Sequence, residues 1–527
     1  MSHVREKLRL EGSQLHERSR RGFLQFLFGR STLIILLLVA QIALMITLFT
    51  RWQFSVFAYG GSYLLSAVMV LYLINHPMNS TSRQTWLILI LLAPVVGTLL
   101  YVYVETDLGH RLVRGRLNQI QRETSGYLPR QERLMDEIRI AEPELYSLAN
   151  YTLRCGGFPI YTNTRVAYFP LGEDKFAALL QELEQAESFI FMEYFIIDEG
   201  YMWNTVLEIL QRKARQGVDV RVMYDGTCAI FKLPYRYPEK LHAMGIQCKM
   251  FSPIRPLVST HYNNRDHRKI LVIDGHTAFT GGINLADEYI NRKTVHGHWK
   301  DTAIMLKGEA VRSFTLMFLQ MWNVTERVTE YDRYLNAPIP PAPPAPGFVL
   351  PYADSPFDNE RVGETVYLDI LNRAERYVHI MTPYLIIDSE MTAALTFAAK
   401  RGVDVRLILP HIPDKKSAFS LAYTHYRELL RAGVRIYEYT PGFVHAKVFV
   451  SDDEKAVVGT INLDYRSLYL HFECAAYLYQ VPTISDIERD FRHTLKQCQQ
   501  VTLDSLHSDR LYRKVLGVLL KVFAPLM

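Results

Sequence analysis

The stretches DHRKILVIDGHTAFTGGIN at residues 266–284 and VHAKVFVSDDEKAVVGTIN at residues 444–462 repeat one pattern of charged and small residues. In each stretch a histidine is followed by lysine, aspartate, glycine and asparagine at offsets of 2, 7, 14 and 17 residues. The matched positions are His267, Lys269, Asp274, Gly281 and Asn284 in the first copy and His445, Lys447, Asp452, Gly459 and Asn462 in the second. A shared spacing over this many positions indicates an internal duplication rather than a chance recurrence of isolated residues.

The similarity between the two copies extends toward the N-terminal side of each motif. Residues 186–198 match residues 374–388, and RQGVDVRVM at 215–223 matches KRGVDVRLI at 400–408. Helical patterns alternate with short runs rich in β-branched residues in both copies, which is typical of layered α/β folds. Between the copies, APIPPAPPAPG at residues 337–347 predicts an extended linker, because so many prolines exclude a helix or a central strand.

These patterns predict the domain organisation of the whole chain. The expected segments are a basic leader at 1–30, a membrane region at 31–104, a connecting helical segment at 105–150, a first repeat domain at 151–336, a Pro-rich linker at 337–351, a second repeat domain at 352–510 and a basic apolar tail at 511–527. The tail fits an interfacial helix on anionic lipid or a final helix packed on the second domain, and its sequence leaves both open.

Three runs in the membrane region, at residues 31–50, 54–74 and 84–104, contain no charged residue. Each run is close to the roughly 20 residues that a helix needs to cross a bilayer. Tryptophans and tyrosines near their ends fit the membrane interface, so the sequence predicts a multi-pass protein of the cell membrane. Basic clusters before the first run and after the third leave open whether two or three runs cross, and on which side the repeats lie.

Composition excludes several classes of protein. The 527 residues carry 59 Lys and Arg against 54 Asp and Glu, and this net charge of +5 is too small to indicate a nucleic-acid partner. The hydrophobic fraction of 49% excludes a disordered chain. The five cysteines are far apart and form no CxxC pair, which argues against a disulfide scaffold and a structural zinc site.

The repeated motif carries groups suited to chemistry at a phosphate. Residues two apart in a strand share a face, so His267 is expected beside Lys269, and His445 beside Lys447. An imidazole acts as nucleophile, acid or base near neutral pH, and an ammonium group stabilises negative charge that develops around phosphorus.

The remaining motif residues are candidates for binding or for turn structure. Asn284 and Asn462 can supply amide donors, and glycines such as Gly282 let the backbone approach a bulky phosphate. Asp274 and Asp452 follow their histidines at an odd offset, so a regular strand points them away from the imidazole. Both aspartates are therefore candidates for direct catalysis and, alternatively, for a structural turn or ion pair.

The pattern HxKxxxxD followed by GG or GT and then xN resembles the signature of the phospholipase D superfamily. The surrounding sequence is similar to bacterial cardiolipin synthases, notably FSPIRP at 251–256, HWKD at 298–301 and HFE at 471–473. This resemblance implies two pseudo-symmetric phospholipase D-like α-β-α sandwich domains that follow N-terminal transmembrane helices. It also implies that Asp301 and Glu473 are the carboxylates that orient the two histidines, although a solvated or ion-paired acid is the alternative for each.

The resemblance further implies a phosphatidyltransferase. One histidine attacks the phosphorus of phosphatidylglycerol to give a covalent phosphatidyl-histidine, and the other protonates the glycerol that leaves. A second phosphatidylglycerol then accepts the phosphatidyl group, which yields cardiolipin. The family habit favours His267 as the nucleophile, whereas the symmetry of the motif does not distinguish it from His445.

The implied partners are phosphatidylglycerol and anionic membrane lipids, with no nucleic acid and no cofactor, and the oligomeric state is left open. No metal is required by such a reaction, although the neighbouring His296 and His298 leave incidental metal binding open. A hydrolytic phospholipase D, a phosphatidylserine synthase, a nuclease and a non-enzymatic membrane scaffold are the alternatives. Complete His-Lys pairs in both copies argue against the scaffold, and charge-free runs argue against the nuclease.

Overall fold

The structure is a computed structural model that describes residues 52–507 except 107, 235, 253–263, 341–343 and 359, together with 517, 520 and 521. The basic leader and the predicted run at 31–50 lie outside the described residues, as does most of the tail at 511–527. One described residue of that tail, Leu520, packs against Leu421 and Tyr465.

The chain divides into two compact units, residues 1–112 with 254–262 and residues 113–253 with 263–527. The described helices of the first unit are Trp52–Asn75, Ser80–Leu92 and Pro94–Thr106. The expected continuous helix over 84–104 is wrong, because Pro94 lacks an N–H and disfavours helical backbone at Ala93. Within the part of the chain that the structure describes, no helix is both long enough and apolar enough to cross a membrane.

The first repeat of the second unit forms a seven-stranded sheet. Its strands, together with the separate strand β7, are β1 (Thr164–Phe169), β2 (Phe189–Tyr194), β3 (Asp219–Asp225), β4 (Gln247–Phe251), β5 (Lys269–Ile273), β6 (Thr277–Gly281), β7 (His298–Lys300) and β8 (Ala303–Gly308). The spatial order is β1-β8-β6-β5-β2-β3-β4. Strands β2, β3 and β4 are parallel, and the other neighbours in the sheet are antiparallel.

The second repeat forms a sheet with the same arrangement and one extra edge strand. The strands of this repeat, of which β11, β14 and β17 lie outside the main sheet, are β9 (Phe348–Asp354), β10 (Tyr377–Met381), β11 (Leu385–Ile386), β12 (Asp404–Pro410), β13 (Arg435–Tyr439), β14 (Gly442–Val444), β15 (Val448–Ser451), β16 (Lys455–Gly459), β17 (Leu463–Asp464), β18 (Glu473–Tyr479) and β19 (Cys498–Val501). The order β9-β18-β16-β15-β10-β12-β13, extended by β19, reproduces that of the first sheet strand for strand. The duplication in the sequence is therefore a duplication of the fold.

Helices cover both sheets, as the α/β prediction requires. In the first repeat and the segment before it they are Leu108–Thr124, Glu132–Ala141, Pro143–Tyr151, Gly172–Glu184, Tyr201–Arg215, Cys228–Phe231, Tyr237–His242, Val311–Trp322 and Asp332–Leu335. In the second repeat they are Val362–Arg373, Ser389–Lys400, Lys416–Ala432, Ile484–Leu495 and Leu503–His507. Short 3-10 helices lie at Asp287–Ile290 and Asn323–Thr325, and π-helical turns at Thr152–Gly156 and Arg466–Leu470.

The two repeats exchange backbone contacts. Strand β7 leaves its own repeat and pairs in parallel with β14, and Asp266 forms an isolated bridge with Phe472. One hydrophobic cluster contains Phe191 of the first sheet and Val457 of the second. The Pro-rich linker therefore joins two sheets of one compact unit, and the exchanged segments are those that carry the candidate site.

Candidate active site

The two motif histidines lie in the turns that lead into β5 and β15. The backbone N–H of His267 donates to the carbonyl of Phe472 at 2.9 Å, and that of His445 donates to the carbonyl of Lys300 at 2.7 Å. Phe472 belongs to the second repeat and Lys300 to the first. Each histidine is thus anchored by its backbone to the opposite repeat.

A carboxylate from the opposite repeat also holds each imidazole ring. His267 Nδ1 is 2.9 Å from both carboxylate oxygens of Glu473, and His445 Nδ1 is 2.7 Å from Oδ2 of Asp301. An ionised carboxylate can only accept hydrogen bonds, so the carboxylate contact assigns the ring proton to Nδ1 and leaves the lone pair on Nε2. His445 Nδ1 also lies 2.9 Å from Lys447 Nζ, a contact that His267 lacks among the described residues. The structure brings both predicted carboxylates to the histidines, and it shows that the pairs cross between the repeats.

The surroundings of the two carboxylates differ. Glu473 accepts a hydrogen bond from the hydroxyl of Thr460, whereas Asp301 accepts one from the N–H of Thr302 at 2.8 Å. Burial raises the pKa of Glu473, but the adjacent His267 outweighs burial and holds that pKa well below its usual range. Gly282 stands where a Cβ atom would come within 2.1 Å of Asp301 Oδ1. This glycine therefore makes room for the carboxylate.

Two buried lysines stand beside the histidines, as the spacing predicts. Lys269 Nζ donates to the carbonyl of His267 at 2.5 Å, and Lys447 Nζ donates to the carbonyl of His445. Burial lowers the pKa of Lys269 to about 8 and that of Lys447 to about 7. The charge of Lys269 also lowers the pKa values of Lys447 and His445, so the two pairs lie within electrostatic reach of each other.

A third buried lysine, which the motif does not include, reaches the same region. Lys175 Nζ donates to the hydroxyl of Tyr194 at 3.1 Å. Its pKa is lowered to about 7, mainly by burial and also by the charge of Lys269, while Asp301 opposes the change. Lys175 lies in the helix Gly172–Glu184, far from both motifs in sequence, so the motif spacing could not predict it.

Both imidazoles favour the neutral form in the substrate-free site. Burial and, after it, the charge of Lys447 lower the pKa of His445 to about 4, and Asp301 opposes the change. Burial likewise lowers the pKa of His267 well below its usual value, against the charge of Glu473. A bound phosphodiester carries the opposite charge and raises both values, so substrate binding makes protonation of one ring possible.

The two motif asparagines have different surroundings. Asn284 uses its amide internally, since its Oδ1 accepts from the N–H of Ile196 at 2.9 Å and its Nδ2 donates to the hydroxyl of Tyr289 at 2.8 Å. It thereby positions the Tyr289 ring, whose centroid is 5.6 Å from that of His445. Asn462 is buried, and its Oδ1 has no hydrogen-bond partner among the described residues.

The structure does not bring Asp274 or Asp452 to the histidines. Each lies at the far end of its strand, β5 or β15, in left-handed backbone that Asp tolerates. Asp274 accepts from three consecutive backbone N–H groups at residues 187–189, at 2.7–2.8 Å, and Asp452 accepts from those at residues 375–377, at 2.9 Å. This geometry corrects the prediction of a direct catalytic role for the two aspartates. Both carboxylates instead bind the backbone at the start of the neighbouring strand.

Aromatic rings form the walls of the site, and the sequence prediction did not include them. The His267 ring faces Phe195 at a centroid distance of 5.0 Å and His471 at 5.5 Å. The His445 ring faces Trp299 at 5.5 Å and Phe443 at 5.8 Å. Trp299 and His471 each lie two residues before their carboxylate. The strand period of two would therefore have predicted that they share its face.

One group among the described residues has the donors to hold a metal ion. His267, His471 and Glu473 place one ligand atom each within 4.8 Å of one another. The neighbouring His296 and His298 are engaged differently. The His298 ring lies 3.0 Å from the hydroxyl of Tyr439, and the His296 ring packs on aromatic neighbours.

One family model and several known proteins resemble the chain. The model, described as cardiolipin synthase, PLD-like domain, matches residues 179–322 and 367–495. An uncharacterised protein of Streptococcus mutans is 54% identical over 87% of this chain and 99% of the relative. Cardiolipin synthase 2 of Bacillus anthracis is 34% identical over 87% of this chain and 89% of the relative. The crystal structure of phosphatidylserine synthase from Haemophilus influenzae superimposes with a TM-score of 0.53 at 15% identity, over 72% of this chain and 97% of that one, which supports the fold.

Proposed function

Because the chain belongs to the family of cardiolipin synthases with phospholipase D-like domains, we propose that it transfers a phosphatidyl group from one phosphatidylglycerol to another. The products are cardiolipin and glycerol. The observation that carries this proposal is a buried site with two neutral imidazoles, each held at Nδ1 by a carboxylate from the opposite repeat. A displacement through a covalent intermediate needs one imidazole as nucleophile and a second as acid and base.

In the first step, the Nε2 lone pair of His267 attacks phosphorus and forms a P–N bond. The bond from phosphorus to the glycerol oxygen breaks, and protonated His445 gives its proton to that oxygen. Glu473 accepts the Nδ1 hydrogen bond of His267 and stabilises the positive charge that the ring acquires. The step therefore ends with a phosphatidyl-His267, neutral His445 and free glycerol.

In the second step, His445 removes the proton from a glycerol hydroxyl of a second phosphatidylglycerol. The oxygen attacks phosphorus, the P–N bond to His267 breaks, and cardiolipin forms. His445 is protonated again and ready for the next cycle. The two rings exchange no roles within a cycle, and only the direction of proton transfer at His445 reverses.

The charges of the site favour binding of an anionic phosphodiester. Lys175, Lys269 and Lys447 contribute three positive charges when protonated, and Asp301 and Glu473 contribute two negative charges. With His445 also protonated, as the first step requires, these groups carry an excess of positive charge that attracts a phosphodiester. Lysines fixed in a buried site also stabilise the additional charge on the transition state.

Burial favours transfer over hydrolysis. His267 is 6% exposed and His445 is 8% exposed, and aromatic rings surround both. Restricted access of water protects a phosphatidyl-histidine until a second lipid hydroxyl arrives. Purified protein supplied with phosphatidylglycerol alone should therefore release cardiolipin and glycerol. Phosphatidic acid and glycerol as the main products would identify a hydrolase instead.

We further propose that the first unit holds the enzyme in the membrane that contains its substrate. The charge-free runs at 54–74 and 84–104 carry strongly exposed apolar side chains, among them Leu64 at 67% and Leu92 at 77%. Apolar surface of this extent is unfavourable in water and favourable against acyl chains. Extraction of membranes at alkaline pH should leave the protein in the pellet. Its release into the supernatant would contradict integral insertion.

A further inference from the structure

One imidazole in the site takes no part in the transfer reaction described above. His471 is 8% exposed; its Nε2 has no hydrogen-bond partner among the described residues, and its Nδ1 lies 3.6 Å from Glu473 Oε1, beyond hydrogen-bond distance. Its ring centroid lies 5.5 Å from that of His267. A buried polar group that lacks partners costs free energy unless a ligand satisfies it. This imidazole is therefore a donor available to a ligand inside the site.

The three donor atoms nearest to one another fit the dimensions of a zinc site. Glu473 Oε1 is 2.9 Å from His267 Nδ1 and 3.6 Å from His471 Nδ1. Zinc bonds of 2.0–2.1 Å in tetrahedral geometry separate ligand atoms by about 3.3 Å, which lies between these two distances. Two imidazoles and one carboxylate are also a common zinc ligand set with one open position.

We propose that His267, His471 and Glu473 bind one zinc ion, and that the bound ion inhibits phosphatidyl transfer. The remaining carboxylate oxygen of Glu473 keeps the hydroxyl of Thr460 as its donor, which is the outer-shell contact that orients a metal-binding carboxylate. The binding part stands on geometry alone. The inhibition part rests on the proposed function, because it assigns the attack on phosphorus to His267.

Inhibition follows from coordination through Nδ1 of the His267 ring, the nitrogen that lies 2.9 Å from Glu473 Oε1. When Nδ1 coordinates zinc, the single ring proton moves to Nε2 and removes the lone pair that attacks phosphorus. The zinc also takes Glu473 Oε1 from its hydrogen bond with the ring. Zinc and phosphatidyl transfer therefore exclude each other at this histidine.

Among the described residues the opposite repeat offers no equivalent ligand set, so we expect one ion per chain. The position equivalent to His471 is Trp299, which lies two residues before Asp301 and faces His445 at 5.5 Å. An indole N–H is a donor only and offers no lone pair to a metal. His445 and Asp301 alone supply two protein ligands, fewer than a zinc site needs.

The test uses the full-length protein in detergent micelles after removal of metal with a chelator. Zinc retained after dialysis is counted for each variant, and Co²⁺ serves as a spectroscopic probe of tetrahedral coordination. We expect one zinc per chain, inhibition with the same midpoint as binding, and recovery of activity on addition of chelator. His471→Asn should weaken zinc binding by at least about tenfold. The control His296→Asn, a neighbouring histidine outside the ligand set, should bind zinc as the wild type does.

The outcomes separate binding from catalysis. Absence of zinc binding at micromolar concentration, or unchanged binding by His471→Asn, would overturn the site. Binding that depends on His471 while transfer continues would overturn the inhibition. Failure of the metal-free protein to form cardiolipin would count against the proposed function, and the zinc and Co²⁺ measurements would still decide the site because they need no substrate.

Discussion

The His267 and His445 ends of the site share one backbone design but differ in the side chains around the carboxylate. At the His267 end the hydroxyl of Thr460 contacts the carboxylate, and His471 lies beside the catalytic ring. At the His445 end Gly282 makes space for the carboxylate, and Trp299 lies beside the ring.

This difference shows that the two repeats share the backbone of the site but differ in the side chains around each imidazole. Each histidine N–H still binds a carbonyl of the opposite repeat, and each carboxylate still crosses between the repeats. The His445 ring is enclosed by aromatic side chains, whereas the His267 ring has a polar neighbour. Two equivalent groups in unequal surroundings can take unequal roles, one as nucleophile and one as acid and base.

Removal of either imidazole tests this division of roles and should have the largest effect. We expect His267→Asn and His445→Asn each to lower turnover by at least about 10⁴-fold, because loss of the nucleophile removes the covalent step and loss of the acid and base strongly slows both steps. The variants should differ in covalent labelling with radioactive phosphatidylglycerol. His445→Asn should still accumulate some label, since its nucleophile is intact, whereas His267→Asn should accumulate none. Label attached to His445 in the His267 variant would reverse the assignment.

Neutralising the crossed carboxylates should produce the next largest effect. Glu473→Gln and Asp301→Asn replace an acceptor with an amide that can donate, which stabilises the wrong tautomer of the adjacent ring. By analogy with the aspartate of serine proteases, we expect losses of about 10²- to 10⁴-fold in kcat with little change in KM. Both variants should slow labelling of His267 together with the first release of glycerol, because the P–N bond forms as the glycerol leaves. Wild-type rates of labelling in either variant would show that its carboxylate does not act on the covalent step.

A smaller effect should follow from pH. Burial lowers the pKa of Lys447 to about 7 and of Lys269 to about 8, so the substrate-free site loses positive charge as pH rises through these values. The protonated lysines bind the anionic substrate, and kcat/KM should therefore fall above pH 7 by up to about tenfold per pH unit for each required lysine. The value of kcat should fall less, because the bound phosphodiester raises both pKa values.

Profiles from pH 6 to 10 in mixed micelles check this expectation. Lys447→Met should make the decline near pH 7 shallower, since Lys175 titrates in the same range, and should leave the decline near pH 8 that belongs to Lys269. A wild-type kcat/KM that stays constant to pH 10 would show that the lysines keep their protons and that burial does not control their charge.

The sequence predicted the duplicated α/β fold and the His-Lys pairs, because both depend on spacing within one copy. It did not predict that Glu473 serves His267 and Asp301 serves His445, because contacts between copies leave no trace in local spacing. Lys175 was missed for a different reason, because a lone lysine in an amphipathic helix is usually solvated.

Two expectations could have been refined from the sequence itself. Pro94 lies in the middle of a charge-free run, and its effect on the preceding residue predicts the break that the structure has at Ala93. The odd offset of Asp274 and Asp452 already favoured a structural role, and an aspartate is well suited to a turn at which three backbone N–H groups converge.

Substitution of Asp274 and of Asp452 should have the same effect on stability and kcat in the two repeats. Asp274→Ala and Asp452→Ala each remove the acceptor of three backbone N–H groups at the start of a strand. We expect each to lower the free energy of unfolding by about 1–3 kcal/mol, seen as a lower Tm, because these groups lose partners in the fold. The kcat of folded protein should stay within about twofold of the wild type, since neither carboxylate reaches an imidazole. Loss of kcat by more than tenfold at unchanged Tm, in either variant, would return that aspartate to the catalytic group.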